Sequence, residues 1–183
     1  MHLYIHGFGS SARSLKAERL MQHAQLRDQR LICPNLPTIP DLAIQTLEDW
    51  VIHTRPQVLI GSSLGGFYAR YLASRFELPA VLINPAVNPD IRLREAIGQA
   101  TQYFDGTGFE WTAQHCDALA QYQPSNEDQR RLWLLVQRGD EVLDAQQAIN
   151  ALPLARQTIE DGGDHGFQGF ERYLDPVLDW RGY

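Results

Sequence analysis

Short apolar runs closed by glycine, proline or polar clusters alternate along this chain with stretches whose apolar positions recur every three or four residues. The first kind reads as strand and the second as helix. Residues 3–5 make a first strand, and a helix follows from about Ser14 with Leu15, Leu20 and Met21 on its apolar side. A second short strand covers 31–33. Pro34, Pro37 and Pro40 stiffen the loop after it, and Asp41 is placed to cap a helix with Ile44, Leu47, Trp50 and Val51 on one face. Val58, Leu59 and Ile60 form a buried strand, Phe67, Tyr68, Tyr71 and Leu72 mark the helix after it, and 79–84 read as another strand. The pattern then breaks: 86–129 hold weak helical pieces and loosely spaced aromatics, with no strand of good quality. It resumes with a strand at 132–136, a helix at 145–152 and a last strand at 157–160. A closing helix buries Phe170, Tyr173, Leu174, Val177, Leu178 and Trp180.

Alternation of this kind predicts the α/β class: about six mainly parallel strands with helices on both faces, and function at the carboxyl ends of the strands. A chain of 183 residues is one domain with little room for decoration. Within it, 86–129 read as a lid-like insertion with a small helical character, since long excursions in compact domains are often lids or binding loops. An ordinary crossover with extra helices is the blander reading.

The junction between the strand at 58–60 and its helix carries Gly61-x-Ser63-x-Gly65. A serine on a sharp strand-to-helix turn, with the smallest residue two positions to either side, is a nucleophile elbow. Phosphate binding there is set aside, because a P-loop needs Gly-Lys-Ser/Thr and Gly66 is followed by Phe67. A second glycine turn, Gly7-x-Gly9-x-x-Ala12, fits a dinucleotide fingerprint, but Pro34 and Asn35 stand where the ribose-binding acid belongs. The loop at His6 and Gly7 reads better as the source of an oxyanion donor, the backbone N–H of Phe8, with that of Leu64 as the second.

A serine hydroxyl needs an imidazole to take its proton and an acid to fix that imidazole. In chain order Ser, acid, His, with each on a loop after a strand, Asp140 and His165 meet the requirement. Glu141 and Asp144 compete with Asp140, but Asp144 is better placed to cap the next helix and Asp140 stands nearest the strand end. Among the other histidines, His2 lies on a strand and His23, His53 and His115 lie in or beside helices, where packing and surface roles are usual. A metal reading of Asp164 and His165 lacks enough ligands, and no cofactor is expected. His6, Tyr103, Phe104, Phe109 and Trp111 are the expected substrate-binding residues, the aromatics suggesting an apolar acyl group. Arg92 and Arg94 suit a phosphate-bearing acyl carrier, although exposed helix arginines are ordinarily just solvated.

A formal charge of −6 with scattered rather than clustered cations argues against nucleic acid as a partner. Hydrophobic and charged contents of 44% and 21% are those of a globular protein, and no apolar run approaches the roughly 18 residues of a membrane span. The first residues carry no basic segment, so no signal peptide is expected and the cytoplasm is the default. Two widely separated cysteines fit reduced thiols.

Tyr4-Ile5-His6-Gly7-Phe8-Gly9-Ser10-Ser11, Gly61-Ser62-Ser63-Leu64-Gly65-Gly66-Phe67-Tyr68-Ala69, Leu82-Ile83-Asn84-Pro85-Ala86, Gly139-Asp140-Glu141-Val142-Leu143-Asp144 and Gly163-Asp164-His165 together resemble the small bacterial esterase family called YqiA. The resemblance implies a reduced α/β-hydrolase fold without the usual first antiparallel strands. It implies a serine esterase or acyl-thioesterase acting on a small acyl ester or thioester, with Ser63 as nucleophile, Asp140 as acid and His165 as base. The competing expectations are a hydrolase fold kept as a non-catalytic binding module, and a C–C hydrolase or lyase using the same triad.

Overall fold

The computed structural model describes residues 1–103, 105–124 and 129–182. Its centre is a six-stranded parallel sheet in the order β2-β1-β3-β4-β7-β8, with β1 at His2–Ile5, β2 at Leu31–Ile32, β3 at Val58–Ser62, β4 at Ala80–Ile83, β7 at Leu132–Gln137 and β8 at Arg156–Glu160. The four central strands are buried along their whole length, as continuous apolar runs covered on both faces must be. The edge strands β2 and β8 are only partly covered.

Side-chain alternation splits the core in two. Leu3, Ile5, Leu59, Leu82 and Leu134 face α2 (Pro40–Thr54), α3 (Leu64–Phe76), α5 (Ala113–Gln121) and α6 (Ala145–Ala151). Tyr4, Val58, Ile60, Val81, Trp133 and Leu135 face α1 (Leu15–Leu26) and α7 (Leu174–Asp179). The chain leaves β1 toward β2 on one side and later returns as β3 on the other. The carboxyl ends of β1 and β3 therefore flank a topological switch point, where a crevice opens between loops that diverge.

Local chemistry shifts several expected details. Ser14 does cap α1 by accepting from Ala17 N–H, but Leu15 is exposed, and the buried stripe is Ala17, Leu20 and Ala24. Helix α2 starts two residues earlier than a cap at Asp41 predicts, with Ile39 as its cap, because Pro40, whose fixed φ suits the first helical position, occupies it. Asp41 instead accepts a hydrogen bond from the Tyr122 hydroxyl at 2.7 Å. The expected closing helix is a 3₁₀ turn at Phe170–Tyr173 running into α7, with Trp180 just beyond it.

The excursion after β4 holds the helical pieces expected of it, α4 (Pro89–Arg92), a 3₁₀ turn at Leu93–Ala96, and α5. It also holds an antiparallel hairpin, β5 (Gly98–Thr101) with β6 (Gly108–Trp111), where no strand was expected. Gly98-Gln99-Ala100-Thr101 has little strand propensity, so its pairing rests on the neighbour: Trp111 at the end of β6 is 1% exposed and anchors the hairpin to the core. No helix among the described residues is long and apolar enough to cross a membrane.

The start of β1 makes the fold sensitive to acid. His2 is buried, and burial first, then the nearby N-terminal amine, pushes its pKa down to about 4, with a hydrogen bond to Gln29 opposing. The unfolded chain, with an ordinary histidine near pH 6.5, binds a proton there that the folded chain refuses, so stability falls as pH drops from about 6.5 toward 4. His6, also lowered by burial, adds in the same direction. Between pH 7 and pH 5 the wild type is expected to lose on the order of 1–2 kcal/mol from His2 alone. Urea unfolding of His2→Gln at the two pH values should show a clearly smaller fall, and an equal fall in both proteins would refute this account.

Candidate active site

Ser63 sits between β3 and α3 with φ 58° and ψ −124°, a conformation that a residue bearing a Cβ adopts only under constraint. The constraint is backbone hydrogen bonding from the next strand and its loop. Ser63 N–H donates to the Ile83 carbonyl at 3.1 Å, and the Ser63 carbonyl accepts from Ala86 at 3.0 Å and Gly66 at 2.9 Å. A Cβ on Gly61 would collide with the Gly65 carbonyl, and one on Gly65 with the carbonyls of Ile5 and His6. Only glycine at both positions lets β1, β3 and α3 close on one another and leave the serine at the turn.

His165 lies on the loop after β8, with its Nε2 3.1 Å from Ser63 Oγ. Its Nδ1 is 2.8 Å from one oxygen of Asp140 and 3.0 Å from the other. An ionised carboxylate only accepts, so the imidazole proton belongs on Nδ1 and Nε2 is left to accept from the serine hydroxyl. Asp140 follows β7 and its side chain is 2% exposed. Burial alone would raise its pKa, but the donors outweigh it: His165, then the backbone N–H groups of Leu143 at 2.8 Å and Val142 at 2.9 Å, hold the carboxyl below the usual carboxylate range. The rival acids have other work. Asp144 caps α6 through Gln146 N–H, and Glu141 accepts from the backbone N–H of His165 at 3.0 Å.

Two buried amides, which the residue pattern did not single out for a role, hold the histidine loop. Asn84, at the end of β4, donates to the carbonyls of Asp164 at 3.0 Å and His165 at 3.3 Å, and its own side-chain oxygen accepts from Gln137 N–H at 3.0 Å. Gln137, at the end of β7, accepts from Asp164 N–H and Gln168 N–H and donates to the Gln168 carbonyl. The signal that could have found them is polarity at the end of an otherwise apolar run, since a buried amide requires partners that a loop can supply. Gly163, at φ 78°, passes so close to the Gln137 side chain that a Cβ would overlap it.

Ser63 and His165 open onto a cleft of about 550 Å³. Leu64, the first residue of α3, presents an N–H with no acceptor in its own helix, and Phe8 reaches the same cleft because Gly7 packs directly on Ser63. Tyr103 also lines it, 81% exposed, its N–H bonded to the Gly9 carbonyl at 2.7 Å. The other residues expected to bind substrate are placed differently. Trp111 lies beneath Phe8, ring centroids 4.8 Å apart, and donates to the Leu93 carbonyl at 3.0 Å as part of the core. Phe109, two residues earlier on β6, also packs edge-to-face on Phe8, at 5.5 Å, and lines a separate small cavity. His6 borders that cavity and braces loops, its Nδ1 3.0 Å from the Gly7 carbonyl and its Nε2 accepting from Leu36 N–H. Phe104 lies outside the described residues. Arg92 pairs with Glu95 and Arg94 with Asp117, which occupies the charges suggested for a phosphate.

Among solved structures, this chain is similar to mouse alpha/beta hydrolase domain-containing protein 10, with a TM-score of 0.77 and 15% identity over 97% of this chain and 89% of that one. It is also similar to the esterase domain of a Rhodothermus marinus protein, with a TM-score of 0.71 and 18% identity over 98% of this chain and 85% of that one. At such identities the likeness establishes the fold, that of the α/β-hydrolases in a reduced form. A UPF0227 protein of Pectobacterium carotovorum is 25% identical over 97% of this chain and 96% of its own length. The family model described as "Uncharacterised protein family (UPF0227)" matches residues 1–182, and the chain belongs to that family.

Proposed function

We propose that this protein is a serine hydrolase of acyl esters, including thioesters, working through an acyl-enzyme. The observation that carries the reading is the continuous relay from Ser63 Oγ through the His165 ring to a buried, ionised Asp140, with contacts of 3.1 Å and 2.8 Å. His165 Nε2 takes the hydroxyl proton as Ser63 Oγ attacks the carbonyl carbon, and Asp140 keeps the imidazole in the tautomer that can accept it. Charge developing on the carbonyl oxygen meets the backbone N–H groups of Leu64 and Phe8. His165 returns the proton to the departing alcohol or thiol. Water, activated by the same imidazole, then releases the acid and regenerates the serine.

The strain at Ser63 and the two amides that hold His165 also support catalysis over a passive binding role, since a module that only binds needs neither a strained serine nor an oriented imidazole. In the same reading the 86–129 excursion covers the cleft, with Pro89, Leu93 and Ala96 as one wall. The esterase domain among the structural neighbours is in keeping with an ester substrate. A cytoplasmic setting suits the two free thiols of Cys33 and Cys116.

Hydrolysis of p-nitrophenyl esters from acetate to palmitate tests the proposal. The wild type turns over part of the series and is labelled at Ser63 by a fluorophosphonate; Ser63→Ala loses both while keeping its circular dichroism spectrum. Equal inertness of the two proteins would sink the hydrolase reading. Asp140→Asn leaves the contacts but supplies the wrong tautomer, with an expected fall in kcat of about 10³- to 10⁴-fold. Asn84→Ala frees the His165 loop, so kcat drops about 10-fold or more through lost preorganisation while KM moves little. A change confined to KM would contradict that role for Asn84.

A further inference from the structure

Of the 16 lysine and arginine residues in the chain, one alone is lysine, Lys16, and it lines the cleft beside Ser63 and His165. It stands in the first turn of α1, and its ammonium donates to the Gly166 carbonyl at 2.9 Å, one residue past His165. Among the described residues this is its one hydrogen bond, and no carboxylate lies within 4.0 Å of it. An ammonium carries three donors, so two remain for a ligand. Burial lowers its pKa, while Asp164 and then Asp140 raise it from a distance. A cation held partly out of water without a paired carboxylate is costly, and an anion delivered by substrate would remove much of that cost.

The surroundings narrow the ligand. Ser10 and Ser14 line the cleft with Lys16, and Ala86, Leu93, Ala96 and Leu143 give the lining an apolar part. Arg92, also at the cleft, is already paired with Glu95. One available cation with Asp164 and Asp140 nearby suits a single negative charge and opposes a dianion such as a phosphate monoester. We propose that Lys16 is a specificity-determining residue: the cleft takes esters that carry a carboxylate, bound by the Lys16 ammonium and the serine hydroxyls of the lining, with the apolar part of the substrate against the apolar lining residues. The inference rests on the hydrolase reading of the site and names the substrate class within it.

Two matched pairs test it, with the carboxylate on either side of the scissile bond. The first pair is p-nitrophenyl pentanoate and mono-p-nitrophenyl glutarate; the second is the butyrate esters of phenol and of p-hydroxybenzoate. In Lys16→Met the kcat/KM ratio of carboxylated to neutral ester should fall about 10- to 100-fold in at least one pair, mainly through KM, the range expected for a lost charge-assisted hydrogen bond. Lys16→Arg should recover most of it. Ratios unchanged in both pairs would mean that Lys16 only braces the histidine loop through Gly166, and the inference would fall. A binding measurement keeps the result independent of turnover. In Ser63→Ala, Lys16 and the N-terminal amine are the only amines for acetic anhydride to modify, and monomethyl glutarate should slow acetylation of Lys16 but not of the N-terminus. Equal rates with and without it would overturn the inference. Should fluorophosphonate fail to label wild-type Ser63 and all esters prove inert, the hydrolase reading is lost, and the protection result alone still decides whether Lys16 holds a carboxylate.

Discussion

Three backbones meet where β1, β3 and α3 converge, and the closeness of that meeting governs everything at the site. The Ile5 and His6 carbonyls lie against the Cα of Gly65, and the Gly65 carbonyl against that of Gly61, with no room for a methyl group between them. Strand pairing sets the approach, since Ile5 sits opposite Gly61 in the parallel register of β1 and β3. Were these elements further apart, Ser63 would relax from its positive φ into ordinary helix and its hydroxyl would turn away from His165. The energy stored in that one residue, of order 1–3 kcal/mol, is small beside the burial of the central strands that impose it.

The imidazole is held by a different logic. His165 is on a loop behind an edge strand, where packing is thin, so its position depends on polar contacts from inside the sheet. Asn84 and Gln137 reach out from the ends of adjacent strands β4 and β7 and grip the loop through its own carbonyls and N–H groups. The Asn84 amide is itself fixed by the Gln137 backbone, whose N–H donates to Asn84 Oδ1, and the Gln137 amide is fixed by donating to Glu160. Ser63 is thus set by steric closeness and His165 by a buried hydrogen-bond network, two means by which a small fold can reach the accuracy that the proposed proton transfer would require.

What could be read from the residues divides along the same line. The sheet, the elbow and the order Ser63, Asp140, His165 follow from periodicity and glycine spacing, which are local and hold wherever the rest of the chain goes. The fate of an aromatic in the excursion is not local. Trp111, Phe109 and Tyr103 are alike in the sequence, yet Trp111 is core, Phe109, on the same face of β6, lines a separate cavity, and Tyr103, in the turn of the hairpin, stands in solvent at the cleft, because a hairpin of weak propensity places all three. His6 is a related case: a histidine close in the fold to the elbow serine looks chemical, but its two ring nitrogens are engaged with Gly7 and Leu36. Asp41 and Leu15 show that caps and helix faces shift by a residue or two when a proline or a neighbouring helix claims the position.

Electrostatics ties the two halves of the site together. A buried carboxylate is tolerated at Asp140 because three donors converge on it, and in the proposed mechanism the charge thus stabilised would support an imidazolium at His165. That negative charge, with Asp164 and Glu141 close by, would on its own make the cleft hostile to any anionic substrate. Lys16 alters the balance locally, since it faces the cleft from α1 while its attraction to Asp164 and Asp140 acts at longer range. Under the proposal made for Lys16, the compact ammonium would serve the Gly166 carbonyl and a substrate oxygen at once, in a chain whose other side-chain cations of this kind are all arginine.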